Sequence, residues 1–379
     1  MTGSRVDARK GLRFVLLVLL TNGVNAFGQT GFEVQLRLDF SSAEAAVDLY
    51  AGRSGNPATI AQMRGSQIAL ATTGLLDGKH LSTDDLIASL EGAKFNNLTG
   101  DDVFHMRDAR QRAPAIRAII DQCKRHNFSQ KVVSTVEQLF PDDVRIKATM
   151  PVYFVAFGHN NIDAYVRRVV WNGNTPVFVG EGEGELSIVV NLSKAATYQG
   201  PVEEQFIELL TVVAHEVFHV AFGLHQDASP TWQRYFAAHR GYFDDLLELT
   251  QNEGIAYYLN LVQHYRGILP YEWVQQLPGS IQQFNRSAAE LMSPRTSSQR
   301  AGELIRASNL SGSHKESYGA FIGMIVARQI DRVFGRDALR ETIARGPFDF
   351  FGKYIDAMKQ DSNLPALSDD VIRYISARR

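Results

Sequence analysis

The amino-acid sequence predicts an α+β fold in which helices predominate, and three observations carry that prediction. Apolar residues recur mostly at helical spacing from residue 41 to about 140. Between 145 and 195, short β-rich apolar runs follow one another. From residue 201 onward helical spacing returns and dominates to the end. The expected organisation is a leader at 1–26, a mostly helical region at 27–144 and a second region at 145–379. That second region is expected to hold a small mixed or antiparallel sheet (150–195), a long apolar helix (201–222), another helix (242–265) and C-terminal helices.

The leader comes first. Arg5, Arg9, Lys10 and Arg13 precede the apolar run 14–20, and Val24-Asn25-Ala26 follows it. A basic start, a short apolar core and a small-residue exit make up a secretory signal peptide, expected to be cut after Ala26. The run is too short to span a bilayer comfortably. The mature protein is therefore expected in the periplasm or secreted, without a stable membrane span. Cys123 is the one cysteine among 379 residues, so no internal disulfide is possible. Its place late in a helical pattern suits a structural thiol. The net charge of −2 and the lack of long like-charge runs argue against nucleic acid as a partner.

The first strand is expected at 32–40, where Phe32, Val34, Leu36, Leu38 and Phe40 alternate with Glu33, Gln35, Arg37 and Asp39. Ser41-Ser42 ahead of Glu44 reads as a helix start with serine as N-cap. Loop signals at 52–57, 74–79 and 96–101 divide the helical stretch. The β-rich runs are 150–157, 166–171 and 176–179, a turn at 180–184, and the alternating segment 186–192. Pro201 suits the first position of the long helix, and Gly223 is a plausible stop.

Inside that helix stands His215-Glu216-Val217-Phe218-His219. A spacing of four puts both imidazoles on one helix face, one turn apart, where they can reach one tetrahedral zinc ion. Glu216 follows the first histidine and can take a proton from a water that the metal activates. A single histidine on an apolar face is usually a satisfied core residue. Two with a glutamate between them, in an otherwise apolar helix, are costly to bury without a metal. A third ligand is needed. Two candidates exist: Glu253, in Asn252-Glu253-Gly254-Ile255-Ala256 on the 242–265 helix, and His225, just past Gly223.

The pair of motifs resembles the gluzincins, the thermolysin-like clan of zinc metallopeptidases. The resemblance covers about residues 186–265. It implies a zincin-like catalytic core, one zinc held by His215, His219 and Glu253, and Glu216 as general base in peptide-bond hydrolysis. The stretch between His219 and Glu253 is longer than in the best-known members. Ala256 and Tyr257 stand where thermolysin-like members carry Ser-Asp, so the group that orients a zinc histidine is not identified. The whole chain also resembles a family of exported bacterial zinc-dependent peptidases. His225 has the offset of the metzincins' third histidine, but Phe222 occupies their glycine position.

The resemblance further implies that an edge strand just before the motif helix aligns extended substrate, a role 186–192 fits as well as it fits an ordinary internal strand, and that a Tyr or His donor stabilises the oxyanion. Tyr318 and then His314 are the candidates for that donor. His159 reads as a turn residue. The expected partner is a peptide or protein substrate. An inactive metal-binding envelope module on the same fold is the alternative, disfavoured because Glu216 is present. A structural helical protein with an accidental motif is the remaining one.

Overall fold

A computed structural model describes residues 31–379, apart from 54, 99, 160, 181, 239–240 and 310–316. The expected leader and His314 lie outside the described residues. The chain divides into two compact units. One comprises Val34–Ser134 and Lys147–Val217; the other comprises Thr135–Ile146, Phe218–Arg379 and the described residues up to Glu33.

The first unit begins in β1 (Phe32–Asp39) and continues through helices α1 (Ser41–Tyr50), α2 (Pro57–Ala61), α3 (Arg64–Asp77), α4 (Thr83–Phe95), α5 (Met106–Gln111), α6 (Ala113–Arg125) and α7 (Phe128–Glu137). Strands β2 (Ile146–Val155), β3 (Ala164–Asn172), β4 (Thr175–Phe178) and β5 (Glu185–Asn191) follow, then the short α8 (Leu192–Ala195) and the long α9 (Val202–Ala228), whose residues from Phe218 on belong to the second unit. The strands form one mixed sheet in the order β1-β2-β5-β3-β4. β2 runs parallel to β5, with Val152 opposite Ile188, whereas β3 is antiparallel to both β5 and β4. Gly173, at φ 59°, makes the tight turn between β3 and β4 in the left-handed region that glycine enters without cost. Mostly helical with a small mixed sheet, the fold is α+β as the sequence predicts.

Phe40 stacks on Phe154 with ring centroids 4.1 Å apart, and Phe128 packs edge-on against both Phe154 and Phe206. These rings join β1, β2, α7 and α9 on one face of the sheet. Cys123 is buried in α6, and burial pushes its thiol up to about 12, so it is an inert core residue. At the start of α1 the expected serine cap is replaced. Asp39 Oδ1 accepts from the Ser41 amide at 2.9 Å and from the Ser41 hydroxyl, because the carboxylate just ahead of the helix reaches the free amides first. His159, expected as a plain turn residue, pairs through Nε2 with Asp77 at 3.3 Å.

Two expectations change with the tertiary structure. The segment before the motif helix is not an edge: β5 lies between β2 and β3, with Ser187 to Asn191 all buried. Ile188, Val189 and Val190 face core on both sides, so this strand has no free edge to pair with an extended peptide. α9 also runs past Gly223 to Ala228, so His225 is on the helix and not on a loop. The burial of Phe222, His225 and Gln226 outweighs the roughly 1 kcal/mol that a helical glycine costs. The helix ends where Pro230 opens α10 (Pro230–Ala238) and disfavours helical geometry in the residue before it. α9 is apolar and long enough to cross a membrane by composition alone, with 56% of its most apolar stretch buried inside the protein. Its apolarity is that of a core helix.

The second unit is helical: α10, α11 (Tyr242–Gln263), α12 (Tyr271–Met292), α13 (Ser298–Asn309), α14 (Tyr318–Phe334), α15 (Arg336–Arg345), α16 (Pro347–Gln360) and α17 (Asp369–Ser376). Phe218 and Phe222 stack one turn apart on α9, flanked by Phe140 and by Trp232, whose indole donates to Ile343 O at 2.7 Å. α11 and α14 cross where neither carries a side chain. A Cβ at Gly254 would sit 2.3 Å from the Gly323 backbone, and one at Gly323 would sit 2.1 Å from Thr250 O. Two glycines therefore set the position of α11.

Candidate metal centre

His215 and His219 project from α9 one helical turn apart, and Glu253 projects from α11. One ligand atom from each lies within 4.8 Å of the other two, and none of the three residues is fully buried. Val213, Ala214, Val217, Phe218 and Ala221 fill the core around the histidines. The remaining face of α9 is the one that carries the imidazoles.

The protonation pattern follows from the neighbours. His219 Nδ1 lies 2.8 Å from Asn252 Oδ1, a carbonyl oxygen that can only accept, so Nδ1 carries the proton. The lone pair of a neutral ring is then on Nε2, which lies 3.5 Å from Glu253 Oε2. A lone pair and a carboxylate at that separation repel unless a proton or a cation lies between them. Asn252 thus holds the ring in the tautomer a metal needs, and it supplies the orienting group for which the sequence offers no candidate. Its signal was adjacency to Glu253: neighbours on one helix can divide the tasks of ligand and orienter.

Glu248, five residues before Glu253 on α11, has no sequence signal. Burial pushes its carboxyl up to about 7; Gln226 Nε2, donating at 2.8 Å, works against that, and Asp245 and Glu253 add to it. The Gln226–Glu248 bond ties the C-terminal part of α9 to α11.

His225, the alternative third ligand, is 8% exposed, and its ring packs edge-on to Phe140 at 6.3 Å. Burial lowers its pKa, and it is not among the residues grouped around His219. Tyr318 opens α14 with its side chain largely buried; its hydroxyl lies 2.6 Å from Ser287 Oγ and 3.4 Å from Leu304 O. That hydroxyl ties α14 to α12 and α13.

The donor set fits a catalytic metal. Two imidazole nitrogens and one carboxylate, with a tautomer set from outside, are the ligands zinc takes when a fourth position is left for water or substrate. Closed structural sites use four protein ligands, and among the described residues the cluster holds three.

Comparison with known families agrees with this chemistry. The family described as "Putative zinc dependent peptidase (DUF5700)" matches residues 60–363, most of the chain and all of the elements just described around His219; the chain belongs to that family. No curated protein and no solved structure matches it.

Proposed function

We propose that this chain is a zinc metallopeptidase of the gluzincin type, with one zinc per chain held by His215, His219 and Glu253. The observation that carries the reading is the convergence of those three side chains with Asn252 already bonded to His219 Nδ1. Family membership supports zinc and peptide chemistry in general. The clan, the ligand set and the roles rest on the geometry and on the resemblance of Asn252-Glu253 to the gluzincin pattern.

Zinc bound there would supply a Lewis acid that lowers the pKa of water and polarises a peptide carbonyl. The chain's own residues do the rest. Asn252 keeps the proton on Nδ1 of His219, so Nε2 remains a ligand. Glu216 takes a proton from the attacking water on its carboxylate and returns it to the leaving amine. The substrate would be a peptide or protein outside the cytoplasm, periplasmic or secreted, in keeping with the leader-like residues 1–26.

The test is metal content by elemental mass spectrometry on the purified protein, Glu253→Ala and His225→Ala. The expected result is one zinc per chain in the parent and in His225→Ala, and none in Glu253→Ala. A parent that takes up no zinc after incubation with the metal would overturn the reading. Zinc lost with His225→Ala and kept with Glu253→Ala would overturn the ligand set.

A further inference from the structure

Arg167 stands on β3, opposite Ser187 of β5, and shares a sheet face with Tyr165 and Phe178. Its guanidinium carbon lies 4.8 Å from the Tyr165 ring centroid and 5.4 Å from that of Phe178, a cage of two aromatic faces. Nη1 donates to Val166 O at 3.0 Å, while Nε is buried with no hydrogen-bond partner. No carboxylate among the described residues lies within ion-pair distance of it.

Other arginines of the same unit are placed differently. Arg117 donates to Glu44 at 3.3 Å and to Asp48 at 2.5 Å, and Arg64 pairs with Glu185 at 3.3 Å. Arg167 cannot escape its charge by losing a proton, because a guanidinium stays protonated in proteins. Tyr165 does not neutralise it either: burial pushes that phenol up to about 12, so it is uncharged at neutral pH. Burial lowers the Arg167 pKa, and the charge on Glu216 works against that shift. Glu216 is thus near enough to be felt and too far to pair. The result is a partly desolvated cation with an unpartnered Nε, flanked by two rings and within electrostatic reach of the carboxylate proposed as general base. Desolvation of this kind is costly unless an anion completes it.

We propose that Arg167 is a specificity residue that binds a carboxylate of the peptide substrate, either its free C-terminus or an acidic side chain, beside the bond on which Glu216 acts. This rests on the peptidase reading. A guanidinium offers a carboxylate two parallel donors in one plane, and the aromatic cage fixes that plane before substrate arrives.

The experiment pairs peptides that differ only in charge: free C-terminus against amide, and Glu or Asp against Gln or Asn near the cleaved bond. Steady-state constants are measured for the zinc-loaded parent, Arg167→Gln and Arg167→Lys, with circular dichroism and thermal melting to confirm folding. The parent should prefer one carboxylate-bearing member, and that pair identifies the source of the carboxylate. Arg167→Gln should raise KM for it about 10- to 100-fold, the loss of one charge-assisted hydrogen bond, with little change for the neutral peptide. Arg167→Lys should recover part of the preference. An equal fall in kcat for charged and neutral peptides would overturn the proposal and make Arg167 an oxyanion donor; no change for either would overturn it outright.

A second arm separates this proposal from the peptidase reading. Calorimetry of the same peptide pairs on chelator-treated parent and Arg167→Gln requires no turnover. If no peptide is cleaved but the parent binds the carboxylate-bearing member more tightly and Arg167→Gln does not, the anion site stands and the peptidase reading fails. Equal binding of both members to the parent overturns the anion site.

Discussion

His219 and His225 lie six residues apart on α9, and their surroundings differ in nearly every respect that matters to a metal. His219 meets a polar helix: Asn252 takes the proton side of its ring and Glu253 faces the other. His225 meets Phe140 and the core, with Nε2 lacking a hydrogen-bond partner and its pKa lowered by burial. Both histidines fit zinc-binding patterns by spacing. What separates them is burial and the anion: burial lowers the His225 pKa against a backbone hydrogen bond to Ile343, whereas Glu253 faces the second ring nitrogen of His219. A ligand is made by its partners as much as by its position.

The difference between the two histidines depends most on where α11 lies. Gly254→Ala places a methyl on the Gly323 backbone, in a contact that has no flexible side chain to yield. Overpacking at such a point should cost at least about 3 kcal/mol of stability, read by denaturant unfolding. Asn252 and Glu253 should move away from His219, with metal affinity falling in parallel, while the packing of His225 on Phe140 is kept. An unaltered zinc affinity in a destabilised Gly254→Ala protein would show that the crossing does not position the ligands.

A smaller change tests the same contrast. Asn252→Ala removes the acceptor from His219 Nδ1 without touching a ligand. Zinc affinity should fall about 10- to 100-fold, measured by competition with a chelator of known affinity. Asn252→Asp should keep or strengthen binding, since a carboxylate accepts the same hydrogen bond. If Asn252→Ala bound zinc as tightly as the parent, the two histidines would differ only in the anion that faces them.

The smallest effect concerns Glu248. Its folded pKa of about 7 lies above the ordinary 4.5, so the folded protein holds a proton there that the unfolded chain releases at lower pH. The sign follows by linkage. Stability from this group is present below about pH 4.5, declines as pH rises and is lost above about pH 7. Chelator-treated parent should lose on the order of 1 kcal/mol between about pH 5 and about pH 8 relative to Glu248→Gln, whose amide does not titrate. Parallel stability curves for the two proteins would show that Glu248 ionises at its ordinary pKa.

Much of this molecule is legible in the sequence alone. The dominance of helix, the β-rich segment between 145 and 195 and the placing of His215, Glu216 and His219 on one helix are local consequences of apolar spacing and of 3.6 residues per turn. Adjacency makes Asn252 and Glu253 a single motif, although spacing alone leaves His225 open beside them. Tertiary structure decided the rest, because the deciding contacts join residues far apart in sequence. It put β5 inside the sheet through pairing with β2 and β3, carried α9 past Gly223 by burying its last turns, and brought Asn252 to His219 across 33 residues. The crossing at Gly254 and Gly323 and the cage around Arg167 leave no periodic trace in the chain. Each depends on what a residue lacks, a side chain in one case and a counter-charge in the other, and such a lack becomes visible only when the neighbours are in place.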